Sequence, residues 1–122
     1  MKLNLMDDTL QIELDFWEQF WAFSFEKVLT TPLSHIVNVS TEEPKSNWAE
    51  IRAPGTFLPG VIKAGTYYNT GGKEFWYVTR DKDYLTLELR DEPFKRIILT
   101  IDNALDWANR IQGEIEGTDV TY

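Results

Sequence analysis

Apolar and polar residues alternate along Leu10, Gln11, Ile12, Glu13, Leu14 and Asp15, the period of two that a half-buried strand requires. The pattern then changes. Asp15 and Glu18 stand three apart, the spacing of a capping box with Asp in place of Ser or Thr, and predict a short helix over about 16–23. Within it Phe16, Trp17, Phe20, Trp21 and Phe23 leave only Glu18 and Gln19 plainly polar. A helix apolar on nearly every side is expected to be buried on more than one of them. Its rings are therefore expected first in the core, and otherwise at an interface made by Phe16, Trp17, Phe20 and Trp21.

Phe25–Leu29 and Ile36–Val39 read as strands, interrupted at Thr30-Thr31-Pro32 because proline lacks a ladder donor. Glu42–Asn47, with Pro44, is a polar connection. Pro54-Gly55 and Pro59-Gly60 predict turns, and Gly65, set in a β-branched and aromatic run, predicts a bulge or a close backbone approach. Asn69-Thr70-Gly71-Gly72 predicts a hairpin turn, from which Lys73–Thr79 returns as a strand. A turn at Arg80–Asp83, a strand at Tyr84–Leu89, a turn at Asp91–Pro93 and a last strand at Phe94–Ile101 follow. Asp102 or Asn103 then caps a helix on which Ala104, Trp107, Ala108 and Ile111 fall at i, i+3, i+4 and i+7. Gly113 is its expected stop, with a polar tail beyond. The sum is a mainly β (β-rich α+β) chain of about seven strands in antiparallel meanders, closed by one C-terminal helix. One domain over 1–122 is expected, its core at about 9–112.

Three stretches carry a family resemblance: Thr31-Pro-Leu-Ser-His-Ile36; Pro54-Gly-Thr-Phe-Leu-Pro-Gly60 followed by Gly65-Thr66; and Phe94–Ile101 leading into the Asn103–Ile111 helix. In these the chain resembles an uncharacterised bacterial family with pleckstrin-homology-like (PH-like) domains. The resemblance implies a partly open antiparallel barrel or sandwich with a helix plugging one end, and a binding or assembly module rather than an enzyme. It departs from the lipid-binding members in charge. Those hold inositol phosphates with Lys and Arg near the first strands, whereas residues 9–26 here carry Glu13, Asp15, Glu18 and Glu26 and no basic residue. Phosphoinositide binding is not expected.

Charge sharpens the list of partners. The net charge of −8 on 122 residues repels nucleic acid and anionic membrane surfaces. It is unevenly spread: residues 1–44 hold 2 basic and 8 acidic groups, residues 45–80 hold 5 and 2, and residues 81–122 hold 5 and 10. The central segment is the only basic one. There Arg52, Lys63, Tyr67, Lys73 and Trp76 mix cations with rings, a combination suited to a small anionic or aromatic ligand, so that a ligand binder or an enzyme using segment 52–80 is the alternative expectation. Strand alternation produces the same pattern unaided, with rings inward and charges outward. A protein partner or self-association is expected otherwise. Residues 1–8 lack the apolar stretch of a signal peptide, and no apolar run approaches the roughly 20 residues of a membrane span, so a cytoplasmic location without stable membrane association is expected.

The catalytic patterns fail in turn. Cysteine is absent, which removes thiolate nucleophiles, thiolate metal sites and disulfides. His35 is the only histidine, and no orienting carboxylate is evident beside it, although Ser34 and Ser40 are near in sequence. Asp81 and Asp83 lack the glycine and terminal glutamate of a calcium loop. Gly72-Lys73 is followed by Glu74 instead of Ser or Thr, so it is no phosphate loop. The carboxylates are too many for any acid–base pair to stand out. No catalytic residue, metal site or cofactor is expected.

Overall fold

A computed structural model of the chain describes residues 1–22, 27–42, 51–58, 62–69, 71–79 and 83–119. The side chains of residues 21, 51–58, 62, 69 and 117–119 fall outside that description. So do several expected features: Phe25 at the start of its strand, the polar connection after Glu42, the Pro59-Gly60 turn and the turn at Arg80–Lys82.

The described residues form nine strands in two open sheets, with a helix near each end. The first sheet has the order β1-β2-β3, with β1 at Lys2–Met6, β2 at Thr9–Glu13 and β3 at Val28–Pro32. β1 lies ahead of the predicted strands. Its signal is the alternation Lys2-Leu3-Asn4-Leu5, weak over so few residues. Asp7 and Asp8 join β1 to β2 with φ of 52° and 63°, the double left-handed geometry of a type I′ hairpin that Asp tolerates. Thr9 Oγ1 closes the turn by donating to the Met6 carbonyl at 2.6 Å.

Pro32 does not break its strand; it ends β3 on the sheet edge. The Leu14 N–H donates to the Lys27 carbonyl at 2.7 Å, which sets the phase of the ladder and turns Pro32 away from β2. A missing donor costs nothing there.

The second sheet has the order β4-β8-β9-β7-β6-β5. Its strands are β4 (Ile36–Ser40), β5 (Ile51–Leu58), β6 (Ile62–Asn69), β7 (Gly72–Thr79), β8 (Asp83–Leu89) and β9 (Arg96–Ile101). One pair departs from the antiparallel expectation: β9 inserts between β7 and β8 and runs parallel to β7. The Ile97-Ile98-Leu99 run explains its place, since a strand apolar on both faces belongs inside a sheet. Pro54-Gly55 is likewise no turn. Both lie within β5, where two residues, Ala53 and Pro54, oppose Thr66 alone. This is a bulge, one of the few strand positions that tolerates proline. Gly65 pairs with Gly55 beside it at φ 135°, a backbone that side-chain-bearing residues rarely adopt.

The two sheets and the second helix enclose one core. Leu10 and Ile12 of β2 meet Phe75, Leu85, Leu87 and Leu99 of the larger sheet, and Ala104, Ala108 and Ile111 close the layer from α2. α2 spans Ala104–Asp119, and the Trp107 N–H donates to the Asn103 carbonyl at 3.0 Å, which puts Asn103 at the cap. The helix does not stop at Gly113. Ile115 continues the apolar stripe of Ile111 onto the core, and that packing carries the chain through the glycine. A Cβ at Gly113 meets nothing within 4 Å. Gly113→Ala is therefore expected to stabilise the protein by about 1 kcal/mol, read as a raised midpoint in urea. An unchanged midpoint would show that α2 does not unfold with the rest, and a lower one that the helix does not accommodate the methyl group.

Candidate functional site

Three groups of side chains have the composition of a functional site. The first lies on the face of the larger sheet opposite the core. Alternation places Lys63 and Tyr67 of β6, Glu74 and Trp76 of β7, and Arg96 and Ile98 of β9 on that face. Tyr67, Trp76 and Ile98 form a second, small apolar cluster with Val78 and Tyr84. Lys63 is buried with it. Its Nζ stands 3.6 Å from the centre of the Trp76 ring and 4.4 Å from that of Tyr67.

Lys63, Tyr67 and Trp76 are thus brought together. Lys73 is not. It lies on the core face, with Nζ 4.7 Å over the ring of Phe94. Arg52 pairs with Tyr67 in the β5–β6 ladder, and its side chain is outside the described residues.

Three further residues complete this group. Glu74 is 1% exposed. Arg96 Nη2 donates to its Oε1 at 3.1 Å, and Arg96 Nε stands 2.8 Å from Oε2, off the hydrogen-bond line. Trp76 Nε1 donates to Oε1 at 3.1 Å, and Lys95 Nζ lies 3.6 Å from Oε2. Burial pushes the Glu74 carboxyl up, but the hydrogen bonds from Arg96 and Trp76 and the charges of Arg96 and Lys95 outweigh it and hold the group below its ordinary value. Glu74 was legible only as the residue that spoils a phosphate loop, because its partners lie 21 and 22 positions downstream on a strand whose parallel pairing no local pattern announces. The arrangement is a salt-bridged clamp across β7 and β9. The indole uses its donor on Glu74 and its face on Lys63.

The second group surrounds His35, in the 3₁₀ turn Leu33–His35 that leads into β4. A carboxylate does stand beside it: Glu92 Oε1 is 2.9 Å from Nδ1. Fifty-seven residues of separation hid the pair from sequence. The Arg90 guanidinium donates twice to the Ser34 carbonyl, at 3.2 and 2.9 Å, and the Arg90 N–H donates to the His35 carbonyl at 2.9 Å. Ser40 Oγ accepts from the Glu42 N–H, so among the described residues no serine hydroxyl is bonded to the imidazole. The pair fastens the β8–β9 connection to the start of β4.

The third group is α1, Phe16–Ala22. Its capping box is complete: the Glu18 N–H donates to Asp15 Oδ1 at 2.8 Å, and the Asp15 N–H donates to Glu18 Oε1 at 2.9 Å. The Met1 ammonium adds an ion pair to Glu18 Oε1 at 2.6 Å. The expected burial of the rings is corrected here. Phe16, Trp17 and Phe20 are 72%, 64% and 57% exposed. Phe16 and Trp17 meet edge to face at 5.4 Å, as do Trp17 and Phe20 at 6.1 Å. Trp21's side chain is outside the described residues.

The inward side of α1 is made instead by Ala22, which is buried, and by Glu18, with a side chain only 13% exposed. These stand four apart, one above the other on one face. Tyr77 belongs to this side. Burial, then the charges of Glu18 and Asp15, push its phenol up to about 12. The helix is therefore inverted, with its carboxylate toward the domain and its aromatic face outward.

No protein-family model, curated protein or solved structure matches the chain. Among the described residues no group of three or more His, Asp or Glu side chains is placed to hold a metal ion, and no helix is long and apolar enough to cross a membrane.

Proposed function

We propose that the chain is a non-enzymatic protein-interaction module, and that the outward face of α1 docks an apolar, basic segment of a partner protein. The inversion of α1 is the observation that supports this reading. Of the four large rings in this seven-residue helix, Phe16, Trp17 and Phe20 are turned out, while Ala22 is buried and the Glu18 side chain is only 13% exposed. Those rings expose roughly 400 Å² of apolar surface, the size at which a patch on a monomer is commonly functional. Its cost to solubility is offset only when a partner covers it.

Charge supports the partner's chemistry. Asp15, which precedes the rings in the chain, is 61% exposed; Glu13 is 40% exposed and paired with Lys27 at 3.7 Å, and residues 1–44 as a whole carry 8 acidic and 2 basic groups. An acidic rim around an aromatic centre selects a basic rim around an apolar one. The sequence resemblance to PH-like domains favours a binding module as well. A small anionic ligand at Lys63 is the weaker reading, because it must draw the ammonium away from the Trp76 ring.

The test is calorimetry with a synthetic amphipathic Leu/Lys helix, with a Leu/Glu helix as control. The wild type is expected to bind the first only. The triple variant Phe16→Ala, Trp17→Ala, Phe20→Ala is expected to bind it at least about tenfold more weakly, since buried aromatic anchors carry most of such an interface. The rings are exposed, so the variant keeps its melting temperature. Equal binding by the triple variant, or binding of both peptides, overturns the proposal. So does binding to phospholipid vesicles but not to the peptide.

A further inference from the structure

We infer that the free edge of β1 pairs antiparallel with the β1 edge of a second copy of this chain, Asn4 facing Asn4 across the twofold axis. The inference is independent of the α1 reading and rests on the four sheet edges. Exposed edges invite strand addition, and proteins blunt them with prolines and bulges. β3 ends in Pro32. β5 carries the bulge at Ala53 and Pro54. β4 carries one at Val37, where its register with β8 shifts between Ile36 and Asn38. β1 has neither. Its five residues pair with β2 in unbroken register from Lys2–Glu13 to Met6–Thr9, and among the described residues no backbone group of Lys2–Met6 bonds to anything beyond β2.

The hairpin fixes which groups that edge offers. A two-residue loop makes Met6 and Thr9 a hydrogen-bonded pair, and the antiparallel ladder then repeats at Asn4–Gln11 and Lys2–Glu13. Leu3 and Leu5, between them, aim their N–H and C=O groups away from β2. A second β1 satisfies both residues only when Leu3 of one copy stands opposite Leu5 of the other. That register is its own twofold image, and its centre is Asn4. Sliding it to put Leu3 on Leu3, or Leu5 on Leu5, leaves the other residue without that partner.

Charge favours the same register. Lys2 is the only basic residue before Lys27. In the centred register Lys2 of the second copy faces Met6, which is 49% exposed, and stands next to the exposed Asp7-Asp8 turn. The lysine stem covers the methionine while its ammonium meets the aspartates, and the contact occurs twice. The interface is small for a stable dimer, below about 1,200 Å². The expected dimer is weak, with Kd on the order of 100 µM.

Sedimentation equilibrium up to about 1 mM protein covers that range. The wild type is expected to dimerise. Asn4→Glu and Asn4→Lys each place two like charges directly opposite, where strands come closest, and are expected to weaken the dimer at least about tenfold. An equal mixture of the two variants is expected to restore it. Asn4 is half-buried with its ladder bonds in the backbone, so circular dichroism should show both variants folded. A wild type monomeric throughout, an Asn4→Glu variant that dimerises as well as the wild type, or a mixture no better than its components overturns the inference. The Phe16, Trp17, Phe20 triple variant is expected to dimerise normally; its loss of the dimer would place the contact on α1 and overturn the inference too.

Discussion

Glu74→Gln is expected to destabilise the protein by about 3 kcal/mol, the low end of what breaking a buried ion pair costs. The variant keeps the shape and one acceptor but leaves Arg96 facing a neutral amide. The low end applies because Arg96 and Lys95 keep 22% and 36% of their side chains exposed and recover some hydration. Acid should reproduce the effect in the wild type. The folded-state value of Glu74 lies below the ordinary 4.5. Its stabilisation is therefore complete above 4.5 and is lost as pH falls through the folded value. Chemical denaturation from pH 7 down to about 3 should show a steeper fall for the wild type than for Glu74→Gln. Replacing both partners, Glu74→Leu with Arg96→Leu, should recover most of the loss, because no uncompensated charge is left behind. A loss under about 1 kcal/mol for Glu74→Gln would make the clamp a surface pair in energetic terms.

The second large effect is alkaline. Tyr77 is 9% exposed, and its burial, then the charges of Glu18 and Asp15, raise its phenol from 10.0 to about 12. A raised value favours the neutral form in the folded state. The stabilisation is complete below pH 10 and is lost as pH rises toward 12, by about 3 kcal/mol over that interval. Tyr77→Phe should remove this part of the alkaline slope. In difference absorbance it should also remove one tyrosine, of the five present, that ionises late. A variant that loses stability between pH 10 and 12 as steeply as the wild type would show that the phenol is not held under α1.

The elements of this fold were legible where neighbours in sequence decide them. The capping box of Asp15 and Glu18 formed as its spacing required. The hairpin closing on Asn69 and Gly72 formed where glycine and asparagine call for it. The stripe of Ala104, Ala108 and Ile111 faces the core. The errors share one cause. Pro54-Gly55, Pro32 and Gly113 are local stop signals, and each was overridden by a contact outside its own segment: the bulge against Thr66, the free edge of β3, and the packing of Ile115.

Of the candidate site residues, sequence named the rings of α1 and the Lys63, Tyr67, Trp76 group by composition. It could not orient α1. Phe16, Trp17, Phe20 and Trp21 carry far more apolar surface than Ala22, so any count of hydrophobicity turns them inward. Among the described side chains of the helix, Ala22 and Glu18 face the domain instead, and Phe16, Trp17 and Phe20 are exposed. The pairings of Glu74 with Arg96 and of His35 with Glu92 were hidden in the same way, across 22 and 57 residues.

The sequence by itself determined a β-rich chain with a C-terminal helix, a net charge of −8 and the absence of cysteine chemistry. Period, caps and composition act over a few residues and need no partner to be read. Only the tertiary structure decided that β9 lies between β7 and β8, that Glu74 is clamped, and that α1 turns Phe16, Trp17 and Phe20 to the outside. Each of these is a choice between two faces or two neighbours, and the energy that makes it comes from residues distant in the chain.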